Sequence, residues 1–164
     1  MANDLHTVFD ETLYPYINKG LDGVVAFSTT KSSIDGQNGE LIYTGYNIDV
    51  LAEKSTFEEV CFLLWNDRLP TQNELDDLTH KFQARRDIPK VVLDYLHSVD
   101  KESKPMSVLR TATSMLSETD IHLPDDSYYE KAINITAKLP TIIAAFSRLR
   151  SGKEIVQPKI TGST

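Results

Sequence analysis

The chain has 164 residues, 40% of them hydrophobic and 25% charged, with a formal net charge of −7. That length suits one domain, and the apolar fraction supports a real core rather than a disordered chain. Seventeen basic against 24 acidic residues argue against a nucleic-acid partner, which calls for a clustered basic excess. The longest uninterrupted apolar run is Val60 to Trp65, far below a membrane span. Met1-Ala2-Asn3-Asp4 opens no secretory signal. The single cysteine, Cys61, suits a reducing cytoplasm, the compartment expected here.

The pattern reads as mainly α with one β-hairpin. Residues 4–18 place Leu5, Val8, Phe9, Leu13, Tyr16 and Ile17 on one helical stripe, with Gly20 just past its end. Val24 to Thr30 is rich in β-formers. Asp35-Gly36-Gln37-Asn38-Gly39 is a turn cluster, and Leu41-Ile42-Tyr43-Thr44 a second short strand. Together they predict a hairpin.

Helices follow. Asn47 is placed to cap a short one reaching Ala52. Ser55 or Thr56 is placed to cap Phe57–Asn66, which ends before Leu69-Pro70. Thr71-Gln72-Asn73-Glu74 has the capping-box spacing and opens a helix to about Arg86. Pro89 suits the first turn of a helix over Val91–Val99. Pro105 opens another, with Val108, Leu109, Ala112, Met115 and Leu116 on one face. The last and longest starts at Ser127 and ends near Arg150, with Gly152 beyond it. Pro140 lies inside it and predicts a kink. Around Pro140 the helix is apolar on every side, as in helices buried on more than one face.

The side chains offer little chemistry. His6, His80, His97 and His122 show no i, i+3 or i+4 pairing, so they read as surface or half-buried rather than metal ligands. Cys61 lies near Glu58 and Glu59, which oppose a reactive thiolate. Gly36-Gln37-Asn38-Gly39 lacks the Gly-Lys-Ser/Thr ending of a phosphate loop, and Asp35-Gly36-Gln37-Asn38 lacks the acidic ligands of a calcium loop. Both read as a hairpin turn. Lys81, Arg85, Arg86 and Lys90 read as a solvated helix end before a phosphate site. Asp76-Asp77 and Asp125-Asp126 suit helix starts, and Tyr128-Tyr129 reads as packing. No catalytic, cofactor-binding or metal-binding residue is assigned.

One ordered set of motifs goes further. Gly20-Leu21-Asp22-Gly23-Val24 is followed by Ile34-Asp35-Gly36 and by Gly39-Glu40-Leu41-Ile42-Tyr43-Thr44-Gly45-Tyr46. This resembles the start of citrate synthases of the short bacterial form, with Thr44 where the family has arginine. Phe57-Glu58-Glu59-Val60, Leu63-Leu64-Trp65, Arg68-Leu69-Pro70-Thr71, Met106, Leu109-Arg110-Thr111-Ala112, Ser114 and Ala137-Lys138-Leu139-Pro140-Thr141-Ile142 resemble later family segments in order.

The resemblance covers about residues 20–158. It implies the helical N-terminal part of the family's large domain with one small hairpin. Residues 1–19 would be an added amphipathic helix, and residues 159–164 an atypical truncated end. It implies a parent that condenses acetyl-CoA with oxaloacetate, using a carboxylate base, histidines and substrate-holding arginines. In the family all of these lie downstream, so the expectation is an N-terminal fragment that is inactive alone. Acetyl-CoA would be a substrate of the parent, and no cofactor would bind the fragment. Helices near 106–118 and 127–150 would form a homodimer or a higher self-association. Neither nucleic acid nor membrane is expected as a partner. A 2-methylcitrate synthase is the nearest rival. A non-catalytic helical interaction module and an unrelated helical domain are the others.

Overall fold

The computed structural model describes residue 24, residues 28–118 and residues 128–158. The expected helix over 4–18 and the ends at 1–19 and 159–164 lie outside them. The described residues are mainly helical, with a small antiparallel sheet of three strands in the order β1-β2-β3.

Strand β1 is Ser32–Asp35, β2 is Glu40–Tyr43 and β3 is Tyr46–Asn47. The hairpin is present, but its first strand is not Val24–Thr30. Residues 24 and 28–30 belong to no strand. The turn decides this. Asp35 pairs with Glu40 across Gly36–Gly39, and Ser32 with Tyr43, so the strand must begin where the loop closes. A second reversal was not expected. Thr44 and Gly45 both take positive φ, 47° and 87°, and join Tyr43 to its partner Tyr46. Two left-handed residues in a two-residue loop match the twist of a hairpin. The Thr44 amide also donates to the Lys31 carbonyl at 3.0 Å.

The helices obey their local signals. Helix α1 is Ile48–Lys54, and the Asn47 side chain accepts from the Asp49 amide. Helix α2 is Phe57–Asn66, closed by a reciprocal box in which Thr56 Oγ1 accepts from the Glu59 amide and Glu59 accepts from the Thr56 amide. Helix α3 is Gln72–Ala84, α4 is Lys90–Ser98 after Pro89, and α5 is Pro105–Met115 with proline in its first turn. A 3-10 turn, Leu116–Glu118, ends α5.

Helix α6 is Tyr128–Arg150 and runs through Pro140. Its 23 residues span about 34 Å. Gly152 closes it with φ 68°. Its amide donates to the Leu149 carbonyl and the Lys153 amide to the Arg148 carbonyl. This is a Schellman closure, and its left-handed position favours glycine.

Two buried clusters form the core, and α6 serves both. Val92, Leu96, Val108, Ala112 and Leu116 pack with Ile142, Ala145 and Phe146 from its second half. Phe62, Leu78 and Phe82 pack with Ile133 and Ala137 from its first half.

Candidate functional site

Among the described residues, the side chains that carry chemistry stay apart. His80 on α3 and His97 on α4 are both exposed. His6, His122 and Asp125-Asp126 lie outside the described residues. Among the described residues, no three histidine, cysteine or acidic side chains converge to hold a metal ion. Cys61 is half-buried on α2. Burial, and then the Glu58 carboxylate, push its thiol up to about 11. Such a thiol is poorly ionised at neutral pH.

The Asp35–Gly39 loop is a self-contained turn. Asp35 Oδ1 accepts from the backbone amides of Gln37 and Asn38 at 2.9 and 3.1 Å, and Oδ2 accepts from Asn38 Nδ2 at 2.7 Å. Those donors hold the Asp35 carboxyl below its ordinary range. They also occupy the oxygens a cation would need.

The basic cluster on α3 corrects an expectation. It is not a solvated helix end. Lys81 bridges Asp77 at 3.0 Å and Glu130 at 3.1 Å. Arg85 pairs with the Glu130 carboxylate and donates to the Glu130 carbonyl at 3.1 Å. Two cations of α3 thus converge on the first turn of α6, where a carboxylate is favoured anyway. Arg85 above all, then Lys81, lowers the Glu130 carboxyl. Lys90 pairs with Asp94 on its own helix. Asp76 accepts from Gln72 at 2.8 Å. The tyrosine pair divides: Tyr129 meets Trp65 edge-on at 5.6 Å, while Tyr128 is 87% exposed.

What remains is a surface. A groove of about 580 Å³ runs between α5 and the second half of α6. Its walls include Pro105, Met106, Leu109, Ile143 and Phe146, with Lys101 and Arg150 at its rim. Met106 is 73% exposed and Ile143 53%. Arg150 lies over the Phe146 ring at 5.6 Å, a cation–π contact that keeps its charge at the margin of the apolar strip. The other flank of α6 is buried. Among the described residues, the all-round apolar segment near Pro140 is therefore covered on one side only.

Comparison with known proteins places the chain in a family. The family described as "Citrate synthase, C-terminal domain" matches residues 20–164. The chain belongs to the citrate synthase family.

Citrate synthase 2 of Bacillus subtilis is 42% identical over 146 residues, covering 86% of this chain and 38% of that protein. The citrate synthase of Haloferax volcanii is 37% identical, covering 87% and 39%. 2-Methylcitrate synthase 2 of Corynebacterium glutamicum is 34% identical, covering 87% and 38%. Among solved structures, the citrate synthase of Thermotoga maritima superposes with a TM-score of 0.76 at 35% identity, covering 90% of this chain and 38% of that one. The enzyme of Thermoplasma acidophilum, a ternary complex with carboxymethyl coenzyme A and oxaloacetate, gives 0.81 at 25% identity, covering 90% and 39%. The chain thus spans under two-fifths of the length of these relatives. The mainly helical fold is common to them. Among the described residues, no helix is long and apolar enough to cross a membrane.

Proposed function

We propose that this chain is the scaffold and subunit-contact portion of a citrate synthase. The whole protein would condense acetyl-CoA with oxaloacetate in the cytoplasm, releasing citrate and CoA as a step of the tricarboxylic acid cycle. The catalytic base, the histidines and the substrate arginines would come from polypeptide other than the residues described. The portion alone would be inactive. The observation that carries this reading is the family match over residues 20–164 against coverage of only 38% of the Bacillus relative.

The α5–α6 groove supports a homodimer or higher self-association. An apolar strip holding Met106 and Ile143, both more than half exposed, rarely stays solvated. Its occupant would be the same face of a second copy, as an isologous two-fold contact requires.

A 2-methylcitrate synthase is the second reading, favoured by the Corynebacterium relative at 34% identity. Its substrate differs by one methylene, which pocket residues distinguish only modestly. Thiol release with acetyl-CoA or propionyl-CoA plus oxaloacetate tests both readings. This chain alone should release no thiol above a contaminant control. The whole protein should prefer acetyl-CoA, and a preference for propionyl-CoA would select the second reading. Turnover by this chain alone would overturn the scaffold assignment.

A further inference from the structure

We infer that Asn38 is a site of spontaneous deamidation, and that the structure makes the conversion a one-way opening of the β1–β2 hairpin. Asn38 is the one asparagine of the chain followed by glycine. Glycine matters because the reaction needs the next backbone nitrogen to reach the asparagine side chain. A Cβ at that residue hinders the approach, and glycine has none.

The turn leaves the reacting groups accessible. Asn38 and Gly39 are both exposed, so water reaches them. A Cβ built on Gly39 would meet nothing within 4 Å, and its φ is 68°. Among the described residues no hydrogen bond engages the Gly39 amide. Asn47, Asn66 and Asn73 precede isoleucine, aspartate and glutamate instead.

The chemistry balances without a co-reactant other than water. The Gly39 nitrogen loses its proton and bonds to Asn38 Cγ. The Cγ–Nδ2 bond breaks and ammonia leaves, giving a five-membered succinimide. Water then opens either carbonyl of that ring. One product is aspartate. The other is isoaspartate, with the main chain rerouted through the former side chain.

The consequence lies at Asp35. In the intact loop Asn38 Nδ2 donates to Asp35 Oδ2 at 2.7 Å. The product at residue 38 carries a carboxylate that can only accept. Two anions then face one another where a donor met an acceptor, and like charges at that distance repel. The isoaspartate form also adds a backbone atom between β1 and β2. The Asp35–Glu40 register depends on the loop length, so that pairing is lost first.

The test is peptide mapping of the purified chain after incubation in mildly alkaline buffer. The segment between Lys31 and Lys54 should gain the mass of amide-to-acid conversion at residue 38. Asn66 and Asn73 should remain intact over the same period. Conversion at Asn38 no faster than at Asn47, Asn66 or Asn73 would overturn the inference. Asn38→Asp separates the two products, since it carries the charge without the rerouted backbone. Hydrogen exchange at β1 and β2 should rise in N38D and rise further in the aged wild type. Asn38→Ser should age without any change in that exchange. Equal exchange in fresh, aged and N38D protein would remove the hairpin-opening part of the proposal.

Discussion

The two ends of α6 meet their neighbours by different means. At its start, α3 grips it through charge: Lys81 and Arg85 converge on Glu130. Beside them lies an aromatic chain in which Trp65 contacts Phe82 at 6.1 Å and Tyr129 at 5.6 Å. At its far end, α4 and α5 hold it through apolar burial, and one flank stays open along the groove. The first end is finished within this chain. The second leaves an apolar flank open among the described residues. Polar closure at one end, set against leftover apolar area at the other, is the contrast on which the proposed subunit contact rests.

Core truncation gives the largest effect, and tests whether both ends are equally cohesive. Phe82 and Leu96 are each 1% exposed. Phe82→Ala and Leu96→Ala should each cost about 3–5 kcal/mol in denaturant unfolding. A much smaller loss at Leu96 would mean that the second cluster gains its order from association.

The charge grip comes next. Glu130→Gln leaves Arg85 and Lys81 without their shared anion and should cost about 1 kcal/mol, since the group is partly solvated. Its carboxyl is lowered from the ordinary 4.5. The stability it contributes is therefore complete above pH 4.5 and is lost as pH falls below that value. In E130Q this acid sensitivity should shrink.

The groove predicts the reverse pattern. Ile143→Asp should leave unfolding of the isolated chain within about 0.5 kcal/mol, as surface changes do. It should abolish self-association in light scattering. A strictly monomeric wild-type chain at micromolar concentration would remove the interface reading.

The Thr44 turn sits outside this comparison and gives a smaller effect. A β-branched residue at φ 47° is strained. Thr44→Asn should raise stability by about 0.5–1 kcal/mol, because asparagine tolerates that conformation.

The smallest effect is at Arg68. Hydrogen bonds from Arg68, then from the Thr71 amide and hydroxyl, lower Glu74 to about 2. What it contributes is present above its ordinary value of 4.5 and drains away as pH falls toward 2. Arg68→Ala should move that loss to higher pH in an acid titration of unfolding.

Much of the fold was legible because the signals were local. Asn47, Thr56 with Glu59, Pro89, Pro105 and Gly152 mark helix ends through bonds or dihedral limits within a few residues. The first strand was not legible. β-formers at Val24–Thr30 outweighed the duller Ser32–Asp35 in propensity, yet turn closure, not propensity, sets pairing. The second turn hid because Thr-Gly is a poor advertisement for a loop that prefers Asn-Gly. The grip on Glu130 joins residues 45 and 49 apart, beyond any local pattern. The family could be read because its motifs keep their order along the chain. No active site could be drawn in the sequence, because its histidines show no short-range pairing; among the described residues no three histidine, cysteine or acidic side chains converge to hold a metal ion.

Pro140 has a mechanical consequence. It stands between Ala137, the last buried α6 residue of one cluster, and Ile142, the first buried one of the other, although Ile135 also reaches the second cluster. Having no N–H, it gives nothing to the carbonyl one turn earlier. The longest of the described helices is therefore most compliant near the border between its two cores. Each core can stay tightly packed while the angle between them adjusts. A surface built on one core can then settle against a neighbour without loosening the other.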